Sequence, residues 1–255
     1  MEYEYVENGF TISVNGNVKK LRFYRGMETA VEIPGGVTEI EIGAFFRCSS
    51  LTSITIPDGV TSIGSSAFWG CDSLTSITIP DSVIRIGDGA FQSCSNLTSI
   101  TIPDSVTCIG AFAFYECHSL TNVAFGENCK LTKIGDSAFN GCDSLTSVTI
   151  GNSVTTIGYG AFSECKSLTS VTIGNSVTTI GDFAFNYCTS LKSVTIGNSV
   201  TTIGDYAFAS CASLTSIVIP DSVTSIGSSA FNGCTSLTDV YYTGTKEQWK
   251  SISIG

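Results

Sequence analysis

Between residues 37 and 242 the apolar positions recur with a long fixed period, in place of the helical or simple alternating pattern of an ordinary globular chain. Every 23 residues the same landmarks return: a Val, an Ile-Gly pair, an Ala-Phe pair, a Cys three residues after the Phe, and a Leu three after the Cys. Two Ile or Val residues separated by one polar residue follow. The twelve residues Ser147–Gly158 recur unchanged at Ser170–Gly181 and Ser193–Gly204. Nine Ala-Phe pairs, from Ala44-Phe45 to Ala230-Phe231, set the number of units at nine. The period slips once, by two residues, around Gly126–Lys130.

A period of 20–29 residues with a Leu-x-x-Ile-x-Ile core is the signature of a leucine-rich-repeat solenoid, in which a short strand of each unit pairs with that of the next. In Leu51–Ile56 the apolar Ile54 and Ile56 alternate with Ser53 and Thr55, which predicts a strand with one buried face and one hydroxyl-bearing face. Pro57-Asp58-Gly59, or Gly151-Asn152-Ser153 in the middle units, predicts the turn that follows. Ala-Phe-x-x-Cys then predicts a short helical or irregular turn on the outer, convex side. One unit alone cannot hide these side chains. Stacked units can, because each buried Phe, Leu, Ile or Val contributes roughly 1.5–3 kcal/mol. The expected fold is therefore a β-rich solenoid of nine 23-residue units with a parallel sheet. Evenly spread cysteines beside Phe and Leu read as small buried hydrophobes.

The pattern Ile-Pro-Asp-Ser-Val-Thr-x-Ile-Gly-x-x-Ala-Phe-x-x-Cys-x-x-Leu-Thr-Ser-Ile-Thr-Ile resembles the BspA-like, Treponema-pallidum-type leucine-rich repeats over about residues 34–242. The resemblance implies a cell-surface or secreted, adhesin-like or ligand-binding scaffold.

Residues 1–36 fall outside the period. Asn8-Gly9 and Asn15-Gly16 separate three β-rich runs, which predicts a β-hairpin cap over the open end of the stack. At the other end, Thr245 and Gln248 have capping-box spacing, so residues 243–255 are expected to form a short C-terminal cap with Trp249 laid over the last layer. The net charge of −10 argues against nucleic acid and anionic membrane surfaces, both of which need clustered cations. No apolar run is long enough for membrane insertion, and residues 1–5 lack the features of a signal peptide. An extracellular or cell-surface location follows from the resemblance alone.

Candidate chemistry is sparse. His118, the single histidine, adjoins Cys117 with no third orienting group, and the plain reading is a surface residue on a turn. No Cys-x-x-Cys occurs, so no metal or other cofactor is expected. Cys108 and Cys129 stand off the ladder. Stacking brings their units together, so a disulfide between them is one expectation and two free thiols the other. Ser/Thr rows on the strands, with Thr149, Thr172 and Thr195 as the concave-face candidates, suit glycan binding but also suit any exposed strand. Aromatic residues that the repeat does not require are Trp69, Phe112, Tyr115, Tyr159, Phe183, Tyr187 and Tyr206. They read as partner anchors or as covers over neighbouring units. The expected function is non-enzymatic binding of a protein or glycan on another cell or matrix, and the alternative is a spacer with no ligand of its own.

Overall fold

A computed structural model describes residues 2–255, and in it the chain winds as a solenoid with almost no helix. β1 (Glu2–Glu7), β2 (Phe10–Asn15) and β3 (Val18–Tyr24) form antiparallel hairpins turned at Asn8-Gly9 and at Gly16. β3 then pairs in parallel with β5 (Glu39–Ile40), so the cap and the repeats share one 13-stranded sheet. β4 (Ala30–Glu32) lies outside that sheet and pairs with Ser53–Thr55.

Each unit supplies two strands, where the sequence pattern suggested one. The continuous sheet is built from the two-residue strands before each Gly, such as Thr156–Ile157, Thr179–Ile180 and Thr202–Ile203 in register. The longer strands after each Leu form four separate short sheets, one of them Ser147–Ile150, Ser170–Ile173 and Ser193–Thr195. Glycine explains the continuity of the first sheet. A Cβ on Gly181 would sit 2.8 Å from the Gly158 carbonyl, and one on Gly204 2.5 Å from the Asp182 nitrogen. Only glycine permits that approach.

The core is a set of ladders. Nine phenyl rings from Phe45 to Phe231 stack face to face, with neighbouring centroids 4.9–5.6 Å apart and planes within 10°. Phe114 and Phe139 stack at 5.1 Å across the two-residue insertion, so the insertion leaves the core untouched. The cysteines do more than fill space. Cys94 donates its thiol proton to the Phe68 carbonyl at 3.2 Å, and Cys165 and Cys188 repeat that bond to Phe139 and Phe162. Threonine hydroxyls are consumed in the same manner, Thr169 donating to the Thr146 carbonyl and Thr178 to that of Thr155.

The Ala-Phe segment is a turn whose backbone serves the next unit. In the fourth unit the N–H groups of Phe112, Phe114 and Glu116 donate to the carbonyls of Asp136, Ala138 and Asn140 at 2.7–2.8 Å. Aiming alternate N–H groups along the solenoid axis puts the residue before Ala, and the residue before Cys, in the left-handed region with φ of +52° to +73° in every unit. Six of those eighteen positions are glycine; the other twelve carry side chains in a conformation that costs about 1–2 kcal/mol each.

Cys108 and Cys129 are both free thiols, so the disulfide expectation is not met. Cys108 lies half-buried on the strand Cys108–Ile109, between Arg85 and Lys133. Cys129 is buried in the insertion, with its thiol near the carbonyls of Pro103 and Val106. The two extra residues seat Cys129 in the turn, away from the strand that holds Cys108. At the far end, the helix α1 (Lys246–Ser251) carries the capping box of Thr245 and Gln248, and Trp249 packs on Tyr242 with centroids 5.3 Å apart.

Replacing Phe139 by Ala breaks the ring stack in mid-array and should cost about 3–5 kcal/mol in denaturant unfolding. Glu164→Gly, at φ +59°, should leave the fold intact and raise stability by up to about 1 kcal/mol in the same measurement. Burial pushes the Cys117 and Cys188 thiols up to about 12 from an ordinary value of 9. The native state therefore holds protons that the unfolded chain releases. The contribution of these thiols should be complete below about pH 9 and fall as pH rises from 9 to 12. Unfolding free energies across that range, compared with those of the Cys117→Ala, Cys188→Ala variant, measure it.

Candidate interaction surface

The positions left free by the ladders are the two residues before Ala-Phe and the two after it, and they form the turn side of the solenoid. Aromatic residues gather there in three groups. Trp69 of the second unit meets Phe46 of the first, with centroids 4.4 Å apart and planes tilted by 46°. Phe112 and Tyr115 of the fourth unit meet edge-on at 5.7 Å. Tyr159, Phe183 and Tyr206 line up across three successive units at 5.3 and 4.9 Å, the second pair stacked within 11°. Tyr187 stands outside these groups, 54% exposed. The candidate aromatics are thus distributed along the turn side and do not converge on one pocket.

Four of them carry a backbone cost that eight non-aromatic residues at equivalent positions carry as well. Phe112, Phe183 and Tyr206 precede Ala, and Tyr187 precedes Cys, all at φ of +53° to +57°. The first, third and sixth units place Gly43, Gly89 and Gly160 at the position before Ala, where it costs nothing. Stacking of Phe183 on Tyr206 returns roughly 0.5–1.5 kcal/mol, against about 2–4 kcal/mol for two bulky left-handed residues.

Phe46 and Arg47, in the first unit, were not among the sequence candidates. The signal was present, since they occupy the same two free positions after Ala-Phe as Trp69 and Gly70. It was obscured because the first unit departs from the consensus beside the cap. Arg47 lies over both rings, its guanidinium carbon 5.7 Å from the Phe46 centroid and 5.0 Å from that of Trp69.

On the strand side, Thr149, Thr172 and Thr195 are exposed and in register, flanked by Ser147, Ser170 and Ser193. Equivalent exposed hydroxyls stand on Ser53–Thr55, Ser76–Thr78 and Ser99–Thr101, and the row is broken at Asn122 and Ala124.

His118 is exposed on a turn and shares Asp143 with Lys166, its Nδ1 lying 3.2 Å from Oδ2 and the Lys166 Nζ 3.0 Å from Oδ1. The scattered acidic residues have structural roles that their sequence context concealed. Asp136 accepts the Tyr159 N–H, Asp182 that of Asp205, and Asp205 that of Ser228. Among the described residues no group of three or more His, Cys, Asp or Glu converges as a metal site, and no helix is long and apolar enough to cross a membrane.

The architecture has counterparts among solved structures. A leucine rich repeat protein of T. pallidum is 28% identical, with 92% of this chain and 91% of that chain covered and a TM-score of 0.59. A leucine rich cell surface protein of Faecalibacterium prausnitzii is 27% identical over 98% and 97% of the two chains, at a TM-score of 0.45. A leucine-rich repeat protein of Bacteroides ovatus is 25% identical over 93% and 88%, at 0.43. A search of curated proteins gives no match. The BspA type leucine rich repeat region matches in six copies over residues 17–133 and 132–252. With its period, its two strands per unit and its phenylalanine stack accounted for, the chain belongs to the family of BspA-type leucine-rich-repeat proteins.

Proposed function

We propose that this protein is a non-enzymatic binding scaffold that presents its turn-side aromatics to a protein or glycan partner on another cell or matrix. The observation that carries this reading is the exposure of Phe112, Tyr159, Tyr187 and Tyr206 on the turn side, at positions the core ladders leave free. Exposed Tyr, Trp and Phe are the usual anchors of interfaces, because each brings a large rigid surface at little entropic cost. The repeat supports that role mechanically: ladders of core residues and backbone hydrogen bonds hold the variable positions in fixed register. Cell-surface or secreted placement belongs to the same proposal and is supported by membership of the family.

The strand face is the second reading, supported by the in-register hydroxyls of Thr149, Thr172 and Thr195. Its weakness is interruption, at Asn122 and Ala124 on one side and at Val218 on the other.

A screen of glycans and matrix proteins against the intact solenoid tests both. Changing Tyr115, Phe183 and Tyr206 to Ser should weaken saturable binding about tenfold or more, while changing Thr149, Thr172 and Thr195 to Lys should leave it unchanged. The opposite result places the site on the strand face. No saturable partner at all supports a spacer.

A further inference from the structure

Between the first three units the turn side opens into a cleft of about 500 Å³ lined by Arg47, Ser49, Trp69, Gly70, Asp72 and Ser93. Its chemistry differs from the rest of the array. The residue before Cys is Gly, Ser, Glu or Tyr in every later unit and is cationic only at Arg47. Arg47 takes a left-handed conformation, φ +56°, and its stem crosses Gly70, where an added Cβ would lie 3.2 Å from the Arg47 Cγ. Glycine at position 70 therefore leaves the space that the arginine uses.

The guanidinium ends on the Phe46 and Trp69 rings, and no carboxylate of the described residues lies within ion-pairing distance of it. Among the described residues Arg25 and Arg85 are also free of ion pairs; what sets Arg47 apart is its place over two aromatic rings in the lining of a cleft. An arginine stacked on aromatic rings keeps its edge N–H groups free and oriented for a planar, bidentate acceptor. Trp69 lines the same cleft, and its indole N–H is buried and meets no acceptor among the described residues. Asp72, with Ser49 and Ser93, adds one anionic acceptor and two hydroxyls.

We propose that this cleft binds a sugar acid, with the ligand's carboxylate on the Arg47 guanidinium and its hydroxyls on Asp72, Ser49 and Ser93. Asp72 decides the class. A carboxylate in the lining repels a compact dianion such as phosphate but accepts hydrogen bonds from sugar hydroxyls, so a polyhydroxylated monoacid fits the whole lining and a bare anion fits only the arginine. The proposal rests on the binding-scaffold reading and names one ligand class for it. The two are separable, because the matrix and glycan screen is scored on Tyr115, Phe183 and Tyr206.

The test uses the full chain with Trp249→Phe, which leaves Trp69 as the sole indole, and titrates sodium D-glucuronate against its fluorescence. Saturable quenching is expected, with D-glucose and phosphate weaker by about tenfold or more. Arg47→Gly, whose left-handed backbone suits glycine, should fold normally by circular dichroism and lose glucuronate binding about tenfold or more. Asp72→Asn should weaken glucuronate and strengthen phosphate. Absence of saturable quenching by glucuronate, or an Arg47→Gly titration matching the parent, overturns the proposal. Equal binding of N-acetylglutamate overturns the sugar assignment in favour of an acidic peptide.

Discussion

The close axial stacking of one turn on the next is the constraint on which the structure depends. Rings stack 4.9–5.6 Å apart, and a Cβ added at the Gly of each Ile-Gly pair from Gly64 to Gly227 would lie under 3 Å from the backbone of the preceding unit, so the stacked positions admit no bulkier residue. Each landmark residue answers a separate demand of that spacing. Phe is flat and stacks on its own copy, and glycine lets two backbones meet. Cys is small enough for the interior and donates a thiol proton to the Phe carbonyl of the preceding unit. Thr fills a strand position and hydrogen-bonds back one unit through its hydroxyl.

The same spacing explains the unusual backbone of the Ala-Phe turn. In a solenoid the partner of a turn's N–H lies in the next unit, so alternate peptides must point along the axis. Left-handed residues on either side of Ala-Phe turn them there. That requirement makes two positions per unit expensive for any side chain, and it gives each aromatic or charged residue found there an interpretable cost. Surface positions in most folds are cheap and say little about selection. Here twelve of the eighteen such places hold a residue other than glycine, four of them aromatic and one Arg47.

The irregular points of the array show how its tolerance is divided. Two extra residues between the fourth and fifth units are absorbed in a turn, where Asp104 accepts the Asn128 N–H and Cys129 is tucked inward, while Leu131 resumes the core. The N-terminal hairpins end the stack by placing Tyr24 and Phe10 against Phe45 and by joining β3 in parallel to the main sheet, with β2 and β1 antiparallel beyond it. Burial and the hydrogen bond to Glu28 push the Tyr24 phenol up to about 12, so this cap is closed by a neutral hydroxyl.

Sequence by itself determined the period, the nine units, the slip at Gly126–Lys130, both caps and the identity of the buried ladders. These are legible because a residue that must face its own copy every 23 positions leaves a translational pattern in the chain. It also marked the free positions, and with them most of the turn-side aromatics. Only the tertiary structure decided which strand of each unit joins the continuous sheet, that Cys108 and Cys129 stay apart, and that the acidic residues beside Ile-Gly cap backbone N–H groups of the following unit. The same holds for the left-handed backbone and for the cleft where Arg47 crosses Gly70 onto Trp69. Such features arise from the offset between neighbouring turns, a distance across the stack that no spacing along one chain encodes.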